Sequence, residues 1–239
     1  MNKMTTPHQK STKLWAVIPA AGSGRRFSAT DLKQYQIIND KTVLEHSIER
    51  LNVLPLDGYV IAIAADDHVA KTLAFEKKEK SHFCQGGAER VHSVLNALNY
   101  LSTIGADEDW VLVHDAARPC VSSDCLNQLL DQAVQQQHSA ILAIPVRDTL
   151  KRVEHTTRIS ATVSREQLWQ AQTPQIAQLG ILRKALQQAL QDQIPITDEA
   201  SALEHIQVPV HVVMGRADNI KITYPSDLDL AQLILKAQL

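Results

Sequence analysis

The run Pro19-Ala-Ala-Gly-Ser-Gly-Arg-Arg-Phe27, followed by Lys33-Gln-Tyr35, contains the residue types that hold phosphate. Small residues at Ala20, Ala21, Gly22, Ser23 and Gly24 let backbone N–H groups approach phosphate oxygens. Arg25, Arg26 and Lys33 place several cations near one loop, which suits a polyphosphate and can neutralise charge building on a phosphorus centre. Two familiar signatures are absent. The dinucleotide pattern G-x-G-x-x-G requires glycine where Phe27 stands, and no Gly-Lys-Ser/Thr closes the loop. Read alone, the loop is also compatible with an ordinary strand-to-helix turn carrying solvated arginines.

His114-Asp115-Ala-Ala-Arg118-Pro119 follows an apolar run at 110–113. Ligands of open α/β sheets bind beyond the carboxyl ends of strands, so Asp115 falls on the same sheet edge as the small-residue loop. A carboxylate there suits a hard cation such as Mg2+, which bridges to substrate phosphates. Arg118 is either an anion anchor or the ion-pair partner of Asp115. Capping of the next turn is the plainer reading of Asp115, and a packed ring that of His114. Thr197-Asp198-Glu199 reads as a helix start, in which Thr197 can both cap and face a ligand. Thr173-Pro174-Gln175 reads as a loop, and Asn219 to Thr223 as a half-buried strand with a solvated Lys221.

Composition bounds the class. The chain has 239 residues with 44% hydrophobic and 21% charged side chains, enough apolar material for one sizeable α/β core. A net charge of -2 gives no bulk basic bias, so nucleic acid is not an expected partner. Cys84, Cys120 and Cys125 form no CxxC pair, and free thiols in a reducing cytosol fit them best. The first apolar run, 14–21, is too short to span a bilayer. Residues 1–13 are polar, without signal-peptide character, and read as a frayed terminus.

The elements that must position these groups follow from periodicity. Apolar runs at 14–19, 59–64, 110–114 and 139–146 read as buried strands. Helical spacing marks 43–54 with Thr42 as N-cap, 66–75, 88–101, 122–137, 179–190, 197–205 and 226–236 with Ser226 as cap; 210–214 reads as a strand. Strands alternating with helices predict one domain over 14–237, with a mostly parallel sheet covered on both faces. Residues 147–165 are polar and β-branched without a helical stripe. They predict a projecting β-arm, taken as 147–163, that packs on a partner subunit.

The stretches PAAGSGRRF, KQY, GGAERVHSVL, VLVHDAARPCV, PVRDTLKR, LWQAQTPQ, TDEASALE and GRADNIKIT together resemble the 2-C-methyl-D-erythritol 4-phosphate cytidylyltransferase family. They run in order from Pro19 to Thr223. The resemblance implies a Rossmann-like nucleotidyltransferase fold, a cytoplasmic homodimer joined by the arm, and cytidylyl transfer from CTP to a sugar-alcohol phosphate with release of pyrophosphate. It implies Mg2+ at Asp115.

By motif position, the resemblance implies CTP contacts from Ala20, Ala21, Gly22, Ser23, Gly24, Arg26, Lys33, Gly87, Ala88, Ser93 and Ala116. Around the second substrate it implies Asp115, Arg118, Thr149, Arg165, Thr173, Thr197 and Lys221. Catalysis falls to Arg26, Lys33, Arg165 and Lys221. Two positions depart from the family pattern: Leu32 stands where proline is usual, and Ala88 where an acidic residue is frequent. A ribitol 5-phosphate cytidylyltransferase would share the nucleotide half. A non-catalytic nucleotide-binding protein is opposed by the joint presence of Arg26, Lys33, Asp115 and Lys221. An NAD(P)-dependent oxidoreductase is opposed by Phe27.

Overall fold

The computed structural model describes residues 12–22, 26–28, 31–154 and 157–238. In chain order, β1 (Leu14–Pro19) leads past the small-residue loop to a hairpin of β2 (Ile37–Ile38) and β3 (Lys41–Thr42), then to α1 (Val43–Arg50). Next come β4 (Gly58–Ile63), β5 (Ser81–Gln85) and α2 (Arg90–Leu101). β6 (Trp110–Val113), α3 (Ser123–Gln136) and β7 (Ser139–Pro145) follow, and then β8 (Leu150–Val153) and β9 (Ile159–Val163). The chain closes with β10 (Trp169–Gln178), α4 (Leu179–Gln191), α5 (Glu199–His205), β11 (Val210–Met214) and α6 (Asp227–Ala237).

The main sheet runs β11-β7-β10-β6-β1-β4-β5. Its strands pair in parallel except β10, which is antiparallel to both β6 and β7. Alternate residues face opposite layers, as strand geometry requires. Ala16, Ile18, Tyr59, Ile61 and Leu112 pack with α1 and α3; Trp15, Val17, Val60, Ala62, Val111 and Val113 pack with α2, α4 and α5. Burial on both faces is why these strands read as unbroken apolar runs. β8 and β9 form a separate two-stranded antiparallel sheet, so the α/β domain carries the hairpin arm that the polar 147–165 segment predicted. Among the described residues no helix is long and apolar enough to cross a membrane.

Local expectations diverge in several places. Residues 66–75 contain only a single 3-10 turn, Ala70–Thr72. Leu73 is extended there, and the Ala74 N–H is taken by Glu45 Oε1 at 3.0 Å instead of by a helical carbonyl. The N-cap of α5 is Asp198, not Thr197: its carboxylate accepts from the Ser201 N–H at 3.0 Å. Ser226 makes no side-chain cap; Asp227 Oδ2 instead accepts the Thr223 and Tyr224 N–H groups. Residues 219–223 are not a strand. Residues 1–11 of the expected frayed terminus lie outside the described residues, and Lys13 is already tied down, its carbonyl accepting from the Trp110 N–H at 2.9 Å.

Asp109 fixes the start of the sheet. This buried carboxylate accepts from the Lys13 N–H at 3.0 Å, the Trp15 indole N–H at 3.1 Å and the Ala106 N–H at 2.9 Å. Removing it strands three donors at the β1–β6 end, each costing its desolvation. Asp109→Ala is therefore expected to lower unfolding free energy by about 2–4 kcal/mol in urea titrations. A loss below about 1 kcal/mol would contradict this role.

Candidate active site

Two cavities meet at the carboxyl ends of β1 and β6. The first is lined by Ala20, Ala21 and Gly22 of the small-residue loop, by Lys33 and Gln34, by Gly87, Ala88, Glu89, Arg90 and Ser93 around the start of α2, and by Asp115, Ala116 and Lys221. The second is lined by Arg118, Gln172, Thr173, Gln175, Thr197 and Asp198, and shares Arg90, Asp115 and Lys221 with the first. Ser23 and Gly24 lie outside the described residues. Thr149 and Arg165 are exposed on or beside the arm and line neither cavity of their own chain.

Close approach of two loops shapes the first cavity. A Cβ on Gly86 would sit 2.3 Å from the Ala21 Cβ, so only glycine lets the 86–89 loop lie against the small-residue loop. Gln34, buried, donates from Nε2 to the Ala20 carbonyl at 3.0 Å. Ser93 Oγ accepts the Gly87 N–H at 3.1 Å and donates to the Glu89 carbonyl at 3.3 Å, so its hydroxyl fastens the neighbouring loop.

Asp115 is the hub. It is 6% exposed at the tip of β6, and three cations converge on it. Arg90 Nε lies 2.9 Å from Oδ1; Lys221 Nζ lies 2.8 Å and Arg118 Nε 3.4 Å from Oδ2. Burial alone would raise the Asp115 pKa, but Arg90, Lys221 and Arg118 together hold it well below the ordinary carboxylate range. Arg90 also grips buried Glu199 through two bonds, Nη1 to Oε1 at 2.7 Å and Nη2 to Oε2 at 3.0 Å. Both carboxylates thus occupy Arg90, which ties the start of α2 to the start of α5.

Lys33 adds another cation. Its ammonium donates to the Ile222 carbonyl at 2.9 Å. Burial, then repulsion from Lys221, Arg26 and Arg118 against attraction from Asp115, pushes its pKa down to about 8. Four cations, Lys33, Arg90, Arg118 and Lys221, line the two cavities with three carboxylates, Glu89, Asp115 and Asp198; each cavity carries three of the cations against two of the carboxylates, which leaves positive charge available to an anion. Arg26 is exposed, yet near enough for Lys33 to feel its charge.

This donor set does not fit a metal ion held by Asp115. Both of its oxygens already receive cationic donors, and Mg2+ requires oxygen ligands. Among the described residues no group of three His, Cys, Asp or Glu side chains could hold a metal. His114, fully buried, has its pKa pushed by that burial down to about 4 and is neutral. Its ring nitrogens face the Arg118 carbonyl and the Thr173 hydroxyl.

Sequence reasoning did not single out Gln34, Arg90, Gln175, Glu199 or Asn219. One signal was available for Arg90. A cation in the first turn of a helix opposes the helix dipole, so an arginine there implies a nearby carboxylate. Gln175 and Asn219 carry no comparable mark. Gln175 Nε2 donates to Asp198 Oδ2 at 2.9 Å, and Asn219 Nδ2 donates to the Thr173 carbonyl at 3.0 Å.

A family model for 2-C-methyl-D-erythritol 4-phosphate cytidylyltransferase matches residues 14–237. The enzyme of that name from Acinetobacter baumannii (strain AYE) is 67% identical over 232 residues, covering 97% of this chain and 98% of the relative. That from Pseudomonas fluorescens (strain SBW25) is 47% identical over 221 residues, covering 92% and 94%. Among solved structures, the Francisella tularensis enzyme of that name is 36% identical, with a TM-score of 0.81 and coverage of 93% of this chain and 100% of that one. The Thermus thermophilus enzyme is 29% identical with a TM-score of 0.78, covering 94% and 100%. With the sheet order, the paired cavities and the cation cluster in place, these likenesses show that the chain belongs to the 2-C-methyl-D-erythritol 4-phosphate cytidylyltransferase family.

Proposed function

We propose that this chain transfers the cytidylyl group of CTP to 2-C-methyl-D-erythritol 4-phosphate, giving 4-diphosphocytidyl-2-C-methyl-D-erythritol and pyrophosphate. The observation that carries the reading is the shared wall of Arg90, Asp115 and Lys221 between two cavities, with cations in excess on both sides. CTP occupies the first cavity, its triphosphate along Ala20 to Gly24 with Arg26 and Lys33, its nucleoside against Gly87, Ala88, Ser93 and Ala116. The polyol phosphate occupies the second, beside Arg118, Thr173, Thr197 and Lys221.

A phosphate oxygen of the polyol phosphate attacks the α-phosphorus of CTP. The new P–O bond forms as the α,β-bridging P–O bond breaks, and the electron pair leaves with pyrophosphate. No side-chain nucleophile is needed, because the substrate phosphate is itself the nucleophile. Two anions must approach each other, and cations fixed in a partly dried site screen that repulsion without reorganising. Lys221, on the wall shared by the two cavities, and Lys33, on the CTP side of it, are the groups this reading assigns to the task. A divalent cation accompanying CTP would be held by its phosphates rather than by Asp115 and would supply charge neutralisation there.

The acting species is a cytosolic homodimer. A lone two-stranded hairpin is marginally stable in water, and β8–β9 leaves Val153 and Ile159 more than half exposed. Seating this arm on a second copy covers those residues. It also brings Thr149 and Arg165, remote from the cavities of their own chain, to the partner's polyol phosphate.

A pyrophosphate-release assay crossing CTP, UTP and ATP with several polyol phosphates tests the reaction. Turnover with ribitol 5-phosphate and none with the methylerythritol compound would overturn the substrate assignment. Lys33→Ala and Arg26→Ala are each expected to cost about 2–4 kcal/mol of transition-state stabilisation in kcat/KM. Near-normal rates in either would remove that residue from the chemistry.

Mixed dimers test the arm. Combining inactive Lys221→Ala with inactive Arg165→Ala should restore activity, because one of the two sites in each mixed dimer receives both native residues. No recovery on mixing, with exchange of subunits verified by mass, would place Arg165 in its own chain's site.

CTP binding should also depend on pH through Lys33. Free Lys33 loses its proton as pH rises through about 8, and the triphosphate favours its charged form. Affinity therefore falls above that pH, and binding between pH 8 and 9 takes up a proton. A terminal phosphate, with a pKa of about 6, is already ionised there and does not contribute. Calorimetry in buffers of different ionisation enthalpy measures the uptake; Lys33→Arg should abolish it.

A further inference from the structure

Thr173 lines the second cavity, and the structure fixes the hydrogen-bonding direction of its hydroxyl. Its Oγ1 accepts the Asp115 N–H at 3.0 Å and lies 3.1 Å from His114 Nδ1. The other ring nitrogen, Nε2, lies 3.0 Å from the Arg118 carbonyl oxygen. A carbonyl can only accept, so Nε2 carries the hydrogen and, in the neutral ring, Nδ1 is a bare acceptor. His114 is fully buried, and an unmatched acceptor there would carry its whole desolvation cost. The Thr173 hydroxyl therefore donates to Nδ1. Its single proton is spent, one lone pair takes the Asp115 amide, and one lone pair is left for a ligand.

We infer that His114 is a positioning residue that makes Thr173 an acceptor-only subsite, taking the hydrogen of a substrate hydroxyl and excluding the phosphate. The inference rests on the proposed reaction and specifies which part of the polyol phosphate meets this wall. An ionised phosphate offers only acceptors, and its oxygens would face a lone pair at Thr173. Arg118 and Lys221, donors on the same cavity, are left to take them. A polyol lacking the matching hydroxyl leaves a buried acceptor unpaired, which is the kind of mismatch that discriminates strongly.

Two measurements test this. The 15N spectrum of the labelled full-length protein at neutral pH, with the His114 ring assigned by difference from His114→Gln, distinguishes protonated from bare ring nitrogens. Hydrogen on Nε2 and a bare Nδ1 is expected; the opposite tautomer or a doubly protonated ring overturns the inference. This readout needs no substrate.

The second measurement compares 2-C-methyl-D-erythritol 4-phosphate with its 1-, 2- and 3-deoxy analogues in wild type, Thr173→Ser and Thr173→Val. One analogue should lose about 10–100-fold in kcat/KM with wild type and Thr173→Ser, and that loss should vanish in Thr173→Val. Equal losses in wild type and Thr173→Val for all three analogues would sink the subsite. Failure of the wild type to use the parent compound would sink the reaction itself, a result separable from the tautomer.

Discussion

A carboxylate stripped of water at the end of a central strand must be paired, and Asp115 is paired three times. Each partner arrives from a different part of the chain: Arg90 from the start of α2, Arg118 from the turn after β6, Lys221 from the segment before α6. Taking charges out of water costs several kcal/mol per ion, and only multiple close partners offset it. The cluster therefore constrains where those three segments can lie. It also joins the two cavities, because the groups that neutralise Asp115 are the groups that line both.

The sheet makes this convergence possible. Parallel β1, β5 and β6 deliver the small-residue loop, the loop before α2 and Asp115 to one edge. Antiparallel β10 brings Thr173 and Gln175 in between, where the register with β7 shifts between Ala171 and Gln175 and the Thr173–Pro174 peptide is cis. The irregularity places polar side chains where a regular strand would place apolar ones. Each is then satisfied: Gln172 and Gln175 by Arg216, Asp198 and Ala200, Thr173 by Asp115 and His114.

Periodicity reported the apolar part of this design faithfully. β1, β4, β6 and β7 are buried on both faces and stand out as continuous apolar runs; α2, α3 and α4 stand out as stripes. β10 did not, because Trp-Gln-Ala-Gln-Thr-Pro-Gln mixes polarity on a strand whose polar groups are paired internally. The failed helix at 66–75 has the opposite cause: its local pattern is helical, and a distant carboxylate, Glu45, took the backbone donor. Among site residues, the small-residue loop, Lys33 and Asp115 were legible because phosphate chemistry leaves a compositional mark. Gln34, Glu199 and Asn219 were not, since supporting hydrogen bonds use residues that any surface also uses.

The surplus of positive charge gives the site a definite physical character. Lys33 is held partly out of water beside Lys221, Arg26 and Arg118, with Asp115 the opposing charge on it. Burial first and the neighbouring cations second disfavour the charge on Lys33, and both hold its pKa down until an anion enters. A triphosphate relieves the second of these, so part of the binding free energy comes from relief of repulsion among the cations, over and above the new hydrogen bonds. The Arg90–Glu199 link keeps Arg90 itself in the wall, locking the start of α2 to α5 through two charge-assisted bonds. The lysines themselves are held close by other bonds, Lys33 Nζ to the Ile222 carbonyl at 2.9 Å and Lys221 Nζ to Asp115 Oδ2 at 2.8 Å, and fixed in that way they can act on phosphate without reorganising.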